Sequence, residues 1–419
     1  MNRRPPLYRP LDWLMVRAPL QPVETYLALA GAPEDEAAPA TPPDDPWARL
    51  ALEVGGGDLA RALARPPGRD RDRAKLARKL LRYRIRMSTR PTPYGLFAGV
   101  ALASWGDRTD LGLADTEPRL RTRPDMGWLM AAVAEWERRP EVRAELRWFA
   151  NPAVYVRDGR AVLGERDAFD PDDREPVSLR ATAPVLKALE LARTPLSYRA
   201  LVDAMVRECG AAEDKIVRLV EQLWEHTVLL TDLRPPLTCA DPARHVADRL
   251  SGAPAERDAL SALLAAAAAW DRPSPAARGG GRDRIRGDRE LADRAAVLHA
   301  VDAAQVPLQT DMALPLAGTR VHRAVAAEAA RAAELLMRLS PIPDTSDSLA
   351  AYRHAFEAKY GTGQEVPLLA LLDAETGLGP PNHGHGETYD RERRRFLRSL
   401  ALDAIRDGRL VVDLDEATL

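Results

Sequence analysis

The sequence predicts an α+β fold with mixed sheets, packed helices and a winged-helix-like insert, spread over several subdomains. Three observations carry that reading. Apolar residues recur at helical spacing in some segments (Leu76, Leu80, Leu81) and alternate at strand spacing in others (Leu308, Thr310, Met312). Leu179 to Leu233 has a texture of its own, with short helices leading to the apolar run Thr227–Leu230. At 419 residues the chain exceeds the roughly 100–200 residues of one domain.

Each element follows from local chemistry. Trp13–Val16 is a short apolar strand ahead of Arg17 and Pro19, and Gly31 to Trp47 is a loop rich in Pro, Ala, Asp and Glu. A helix runs from Arg73 to Met87, with Arg78, Arg82 and Arg86 four apart on one face. Pro91 ends it, because the residue before a proline is forced out of the α region. The turn Pro91–Gly99 then feeds a strand that contains Val100 and Leu102. Asp125–Arg138 is an amphipathic helix, and Pro152–Val162 is a hairpin around Asp158-Gly159. Helices at Ala183–Leu191, Tyr198–Cys209 and Glu213–His226 form the insert, which Arg234-Pro235-Pro236 closes. Ala277–Asp288, with Gly279-Gly280-Gly281, reads as a flexible linker. A strand at Val306–Leu314, helices at Val321–Leu339 and Ser348–Tyr360, an irregular stretch to Gly386 and a charged helix into Leu410–Leu414 complete the chain.

Composition excludes several function classes. Hydrophobic residues make up 46% and charged residues 29%, a globular balance that excludes a wholly disordered chain. Sixty basic against 62 acidic residues make no global polycation, so a nucleic-acid surface must be a local patch. Cys209 and Cys239 have neither metal-ligand spacing nor a disulfide framework. The longest small-apolar run, Leu260–Trp270, is too short to span a bilayer, and the expected location is cytoplasmic. Gly55-Gly56-Gly57 and Gly279-Gly280-Gly281 lack the Lys-Ser/Thr of a phosphate loop. His383 and His385 have no third ligand nearby, so no metal and no bound cofactor are expected.

One charge anomaly stands out. From Arg61 to Arg90, Arg73, Lys75, Arg78, Lys79, Arg82, Arg84, Arg86 and Arg90 are among a dozen basic residues set against only Asp70 and Asp72. Phosphate is the natural partner of such a surface, because guanidinium grips its oxygens as a bidentate fork. Its bland counterpart is a solvated helix face in an Arg-biased proteome, since lysine occurs only at positions 75, 79, 187, 215 and 359. Pro91 and Pro93 fix φ at alternate positions of the following turn, so Arg86, Arg90 and Thr92 have little ordering entropy left to lose. Asp311 falls on the polar side of its strand with Gln309, where an ordinary solvent-facing acid is equally at home.

The stretch Ile85-Arg86-Met87-Ser88-Thr89-Arg90-Pro91-Thr92-Pro93-Tyr94-Gly95-Leu96-Phe97-Ala98-Gly99-Val100 resembles the signature of the lantibiotic dehydratase N-terminal, or glutamylation, domain. Further landmarks agree in order: Leu14–Pro19, Arg123-Pro124-Asp125, Asn151-Pro152, Val177–Arg180, Thr231–Leu237, Gln309-Thr310-Asp311, Tyr360-Gly361 and Leu372–Gly379. The resemblance implies transfer of glutamate from glutamyl-tRNA onto Ser and Thr of a leader-bearing precursor peptide, in lanthipeptide or thiopeptide biosynthesis. It places Arg17, Arg86, Arg90 and Asp311 at the reaction site, with Arg73, Lys75, Arg78, Lys79, Arg82 and Arg84 on tRNA. Asp311 would hold the ammonium of the transferred amino acid or orient an arginine or the attacking hydroxyl.

The same resemblance divides the chain into 1–175, the N-terminal α+β part with the proline turn, 176–240, a winged-helix-like module for the leader peptide, and 241–419, an incomplete continuation. Family members run far longer, so the expectation is roughly half a glutamylation domain and no elimination domain, with a second chain supplying the remainder or the product truncated. Two alternatives remain open at this point: a ligase that attaches an amino acid from aminoacyl-tRNA to a peptide terminus, and a non-catalytic module that binds precursor peptide or tRNA.

Overall fold

A computed structural model describes residues 7–30, 43–164, 176–272, 281–299, 307–339, 347–381 and 391–412. The chain forms two compact units, one of Met15–Ala103 with Leu111–Thr319 and one of Met1–Leu14, Ser104–Asp110 and Arg320–Leu419. Strands β1 (Trp13–Pro19), β2 (Ala98–Gly106), β3 (Asp110–Leu113) and, late in the chain, Leu316–His322 contribute residues to both.

In the larger unit, β1 leads into α1 (Val23–Ala30), α2 (Pro46–Gly55), α3 (Gly57–Ala64) and the long α4 (Asp70–Thr89). Helix α2 begins where Asp45 accepts a bond from the Trp47 amide and Pro46 occupies the first turn, so the loop expected to reach Trp47 stops short of it. Leu50, Leu59, Leu76, Leu80 and Met87 of these helices pack with Phe97, Leu120 and Met312 into one core. The strand order is β2-β11-β4, with β1 on β2, where β4 is Arg119–Pro124 and β11 is Leu308–Ala313. Between β4 and β11 lie α5 (Met126–Glu137), α6 (Pro140–Glu145), β5 (Arg147–Ala150), the hairpin β6 (Tyr155–Arg157) and β7 (Arg160–Leu163), and β8 (Val177–Arg180). There follow α7 (Ala183–Leu191), β9 (Leu196–Ser197), α8 (Tyr198–Cys209), α9 (Glu213–Glu225), β10 (Leu229–Thr231), α10 (Pro242–Arg249), α11 (Pro254–Trp270) and α12 (Gly281–Leu298).

The insert has the expected three helices, α7 to α9, over a small sheet ordered β10-β5-β9, beside a second sheet ordered β6-β7-β8. Ser197 caps α8 at its start and Gly210, at φ 61°, ends it in the left-handed region that glycine enters freely. Trp148, Leu201, Met205, Val220 and Leu223 give this insert a core of its own. It meets the body through a buried polar joint. Glu137, fully buried at the end of α5, accepts from Arg234 at 3.0 Å and from the Thr231 hydroxyl. Arg143 donates to the Glu137 carbonyl at 2.6 Å and lies 4.2 Å over the Trp224 ring. A buried carboxylate persists only with such partners.

The smaller unit contains the end of β12 (Leu316–His322), where Arg320, Val321 and His322 pair in parallel with Ser104, Trp105 and Gly106 of β2. This pairing corrects the expected helix start at Val321. Helix α13 (Arg323–Leu339) begins only after the strand, where the His322 ring accepts from the Ala324 amide at 3.1 Å. Then come α14 (Asp347–Tyr360), the short α15 (Leu368–Leu371) and α16 (Arg391–Arg406). The Tyr352 hydroxyl donates to the Gly379 carbonyl at 2.6 Å and pins the segment after α15.

The linker expected at Ala277–Asp288 is a second correction. Residues 277–280 lie outside the described residues, but from Gly281 the chain is α12, whose Leu291 and Ala295 are buried against α11. Gly287 serves contact, since a Cβ there would stand 2.6 Å from Trp270 Cδ1. On the same helix, burial raises the Asp288 carboxyl to about 6, the charge on Glu53 pushes it the same way, and Arg289 opposes both. Folding thus favours the protonated form, so this stabilisation is present at low pH and is lost as pH rises from about 4 through 6. Asp288→Asn should therefore raise stability at pH 8 by about 1–3 kcal/mol and much less at pH 4. Denaturant melts at the two pH values check this.

Candidate functional site

Helix α4 presents its arginines by spacing alone. Leu76, Leu80 and Met87 turn to the core, Arg78 and Arg82 are exposed, and Arg86 is half-buried near the end of the helix. The helix ends at Thr89, Arg90 is extended, and the chain turns through Pro91 and Pro93 into β2. Two backbone bonds anchor this turn. The Gln21 amide donates to the Met87 carbonyl at 2.8 Å, and the Leu20 amide donates to the Phe97 carbonyl at 3.0 Å. The residues just after Arg17 are thus laced to both ends of the proline turn.

The turn and the helix end enclose a cleft of about 580 Å³ lined by Arg82, Tyr83, Ile85, Arg86, Arg90 and Tyr94. Phe97, fully buried, packs behind two of these residues. Its ring stacks on Tyr94 at 6.0 Å and meets Tyr83 at 5.2 Å. The Arg86 guanidinium carbon lies 5.0 Å from the Tyr94 ring centre and 5.9 Å from that of Phe97. Arg86 Nε is shielded from solvent and has no hydrogen-bond partner among the described residues. An unanswered buried donor carries a desolvation cost that a bound acceptor would recover.

Charge compensation along α4 is uneven. Arg73 pairs with Asp70, and Lys75 lies 3.6 Å from Asp72. Arg78 donates only to the Ala74 carbonyl, at 3.3 Å. Lys79, Arg82, Arg84, Arg86 and Arg90 have no ion-pair partner among the described residues. The field of the basic segment is therefore concentrated at its C-terminal half, around the cleft.

Asp311 and Arg17 do not line that cleft. Along β11, Leu308, Thr310 and Met312 are buried while Gln309, Asp311 and Ala313 are exposed, as the alternation predicts. Asp311 stands opposite Arg121 of β4 and forms an ion pair with Arg123. Arg17 lies on the exposed side of β1. These strands flank β2, where Ala313 pairs with Val100, directly beyond the proline turn. Two groupings result: arginines in the cleft, and an Arg/Asp face on the sheet. Tyr94, Tyr83 and Arg123 are not among the candidate site residues named from the sequence, although Tyr94 and Arg123 fall within its family landmarks. The alternation Arg119-Leu120-Arg121-Thr122-Arg123 is the signal that would have found the last. Among the described residues no cluster of three His, Cys, Asp or Glu could hold a metal ion, and His383 and His385 lie outside them. No helix among the described residues is long and apolar enough to cross a membrane.

The packing behind the cleft depends on one missing side chain. A Cβ on Gly55 would stand 2.7 Å from Phe97 Cε2. Gly55→Ala should displace the ring, cost about 1–3 kcal/mol and disturb the aromatic stack. Thermal melting and near-ultraviolet circular dichroism should both register the change.

Comparison with known proteins gives these groupings a context. The family model for the lantibiotic dehydratase N terminus matches residues 44–419. Subtilin biosynthesis protein SpaB of Bacillus subtilis is 25% identical over 354 residues, covering 81% of this chain and 33% of SpaB. Epidermin biosynthesis protein EpiB of Staphylococcus epidermidis is 24% identical, covering 72% of this chain and 30% of EpiB. This chain therefore spans about a third of the length of the curated relatives it matches. Among solved structures, the tRNA-dependent lantibiotic dehydratase MibB from Microbispora sp. 107891 is 32% identical with a TM-score of 0.79, covering 99% of this chain and 40% of MibB. The glutamylation domain of TbtB, from thiomuracin biosynthesis, shares the fold at 20% identity and a TM-score of 0.59, covering 88% of this chain and 47% of that one. With its α+β architecture and the proline-turn segment Ile85–Val100 inside the matched range, this chain belongs to the lantibiotic dehydratase N-terminal family.

Proposed function

We propose that this chain takes part in tRNA-dependent glutamylation of Ser and Thr side chains in a ribosomal precursor peptide during lanthipeptide or thiopeptide biosynthesis. The observation that carries the reading is the cleft: Arg82, Arg86 and Arg90, none with an ion-pair partner among the described residues, surround an exposed aromatic ring. That combination suits the 3′ end of a tRNA, with guanidinium groups on phosphates and an aromatic face for a base. Arg73, Lys75, Arg78, Lys79, Arg82 and Arg84 then track the acceptor strand along α4.

The chemistry asks little of acids and bases, because an aminoacyl ester is already activated. A Ser or Thr hydroxyl attacks the glutamyl carbonyl, a new ester bond forms, and the bond to the tRNA ribose breaks. The hydroxyl proton passes to the departing ribose oxygen. Fixed cations stabilise the intermediate oxyanion, the part we assign to Arg86 and Arg90, with Arg17 of the neighbouring strand as a further cation. Asp311 holds the glutamyl ammonium or orients the hydroxyl. The insert, with its open sheet edges, offers a place for the leader peptide to add a strand. The site would work in the cytoplasm, where charged tRNA is available.

A second reading keeps the cleft and drops the chemistry, as a module that binds tRNA and precursor peptide. One experiment separates the two. The full chain is incubated with glutamyl-tRNA and precursor peptide, with and without a polypeptide matching the remainder of the relatives, and peptide mass is followed. Glutamyl additions on Ser or Thr are expected, reduced about a hundredfold by Arg86→Ala or Arg90→Ala. Binding of tRNA and precursor without any mass addition would leave binding as the function, and additions that persist unchanged in both variants would remove the two arginines from the chemistry.

A further inference from the structure

The exposed face of the β4/β11 ribbon is unusual in its charge. It carries Arg119, Arg121 and Arg123 from β4 and, from β11, the single carboxylate Asp311. Cross-strand register sets Arg121 opposite Asp311 and Arg123 opposite Gln309. Even so, the carboxylate pairs diagonally. Arg123 Nη1 donates to Asp311 Oδ2, while Arg121 turns away and donates to the Ala240 carbonyl at 2.8 Å. The Arg123 and Asp311 side chains are 34% and 53% exposed, and an ion pair so open to water adds little to stability. A role in geometry accounts for it better.

Arg123 is itself held from behind. Its Nη2 donates to Gln309 Oε1 at 3.2 Å, and the Gln309 amide nitrogen donates to Asp125 Oδ2. The other oxygen of Asp125 caps α5, accepting from the Gly127 amide at 2.8 Å and the Trp128 amide at 3.3 Å. Trp128 is 1% exposed and sits in the core that α5 shares with α10 and α11. A chain of contacts thus runs from a rigid helix N-terminus, through Asp125, Gln309 and Arg123, to one oxygen of Asp311. Asp311 Oδ1 has no partner among the described residues.

We propose that Arg123 is a positioning residue: anchored through Gln309 and Asp125 to the start of α5, it fixes one oxygen of Asp311 so that the other is presented to the bound aminoacyl group. This rests on the reading of Asp311 as part of the reaction site. A free aspartate explores several rotamers, whereas one tethered at Oδ2 offers Oδ1 in a single direction, and misplacement of a reacting group by about 1 Å costs on the order of a hundredfold in rate.

The test is a double-mutant cycle in the transfer assay, using the full chain and its single-turnover rate at saturating glutamyl-tRNA. Arg123→Ala should lower the rate ten- to a hundredfold, with affinity for a non-hydrolysable glutamyl-tRNA analogue changed less than twofold. Arg123→Lys should restore most of the rate, since an ammonium still reaches Oδ2, and Gln309→Leu should give an intermediate loss. In an Asp311→Asn background, Arg123→Ala should change the rate less than twofold, because its route to the substrate is gone. The inference is overturned if Asp311→Asn abolishes transfer while Arg123→Ala leaves it intact, or if the two losses multiply. Full activity in Asp311→Asn would instead remove the reading of Asp311 on which the inference rests, and the inference with it. Unchanged melting of Arg123→Ala excludes simple unfolding.

Discussion

The Phe97 ring sets the geometry of the cleft. It occupies the space that any side chain on Gly55 would need, lies beneath Tyr94 and Tyr83, and gives the Arg86 guanidinium an aromatic surface to rest on. Its own carbonyl accepts from Leu20, so the strand that carries Arg17 is tied to the same point. Helix α4 would bring its arginines to this end of the unit in any case. What makes them a cleft is a pair of tyrosine rings backed by a buried phenylalanine and a turn whose φ angles two prolines have already chosen.

Charge is handled in opposite ways in the two groupings. In the cleft, Arg82, Arg86 and Arg90 have no acidic partner among the described residues, and Arg86 Nε is shielded with no hydrogen-bond partner among them. On the sheet, the single carboxylate of the β4/β11 face is bound by an arginine that is bound in turn. The first arrangement suits a ligand that brings its own negative charge, and the second suits a group whose direction must be set beforehand. Only the first can stabilise a developing anion, because cationic donors already in place need little reorganisation as charge appears, whereas a directed carboxylate suits a cation.

Much of this was legible in the sequence, and for identifiable reasons. Helical spacing in α4 and in α7 to α9, and strand alternation in β11, are local signals that tertiary packing reinforced. Asp311 could be placed on the exposed side of its strand from Leu308, Thr310 and Met312 alone. Gly281–Asp288 misled because a glycine run and dense charge look like a linker. Gly287, however, is required by the Trp270 ring beside it, and that ring lies on a different helix. The boundary at Val321 was hidden for a similar reason, since pairing with β2 extends a strand whose sequence continues smoothly into an Ala-rich helix. Arg123 escaped because its importance lies in a diagonal partner 188 residues away.

The most direct measurement is the structure of this chain bound to a stable analogue of the 3′-terminal glutamyl-adenosine. The account predicts the phosphate on Arg82, Arg86 and Arg90, the base against Tyr94, and the glutamyl ammonium toward Asp311 Oδ1. An analogue seated elsewhere, with the cleft empty and Arg86 Nε still unpartnered, would contradict it.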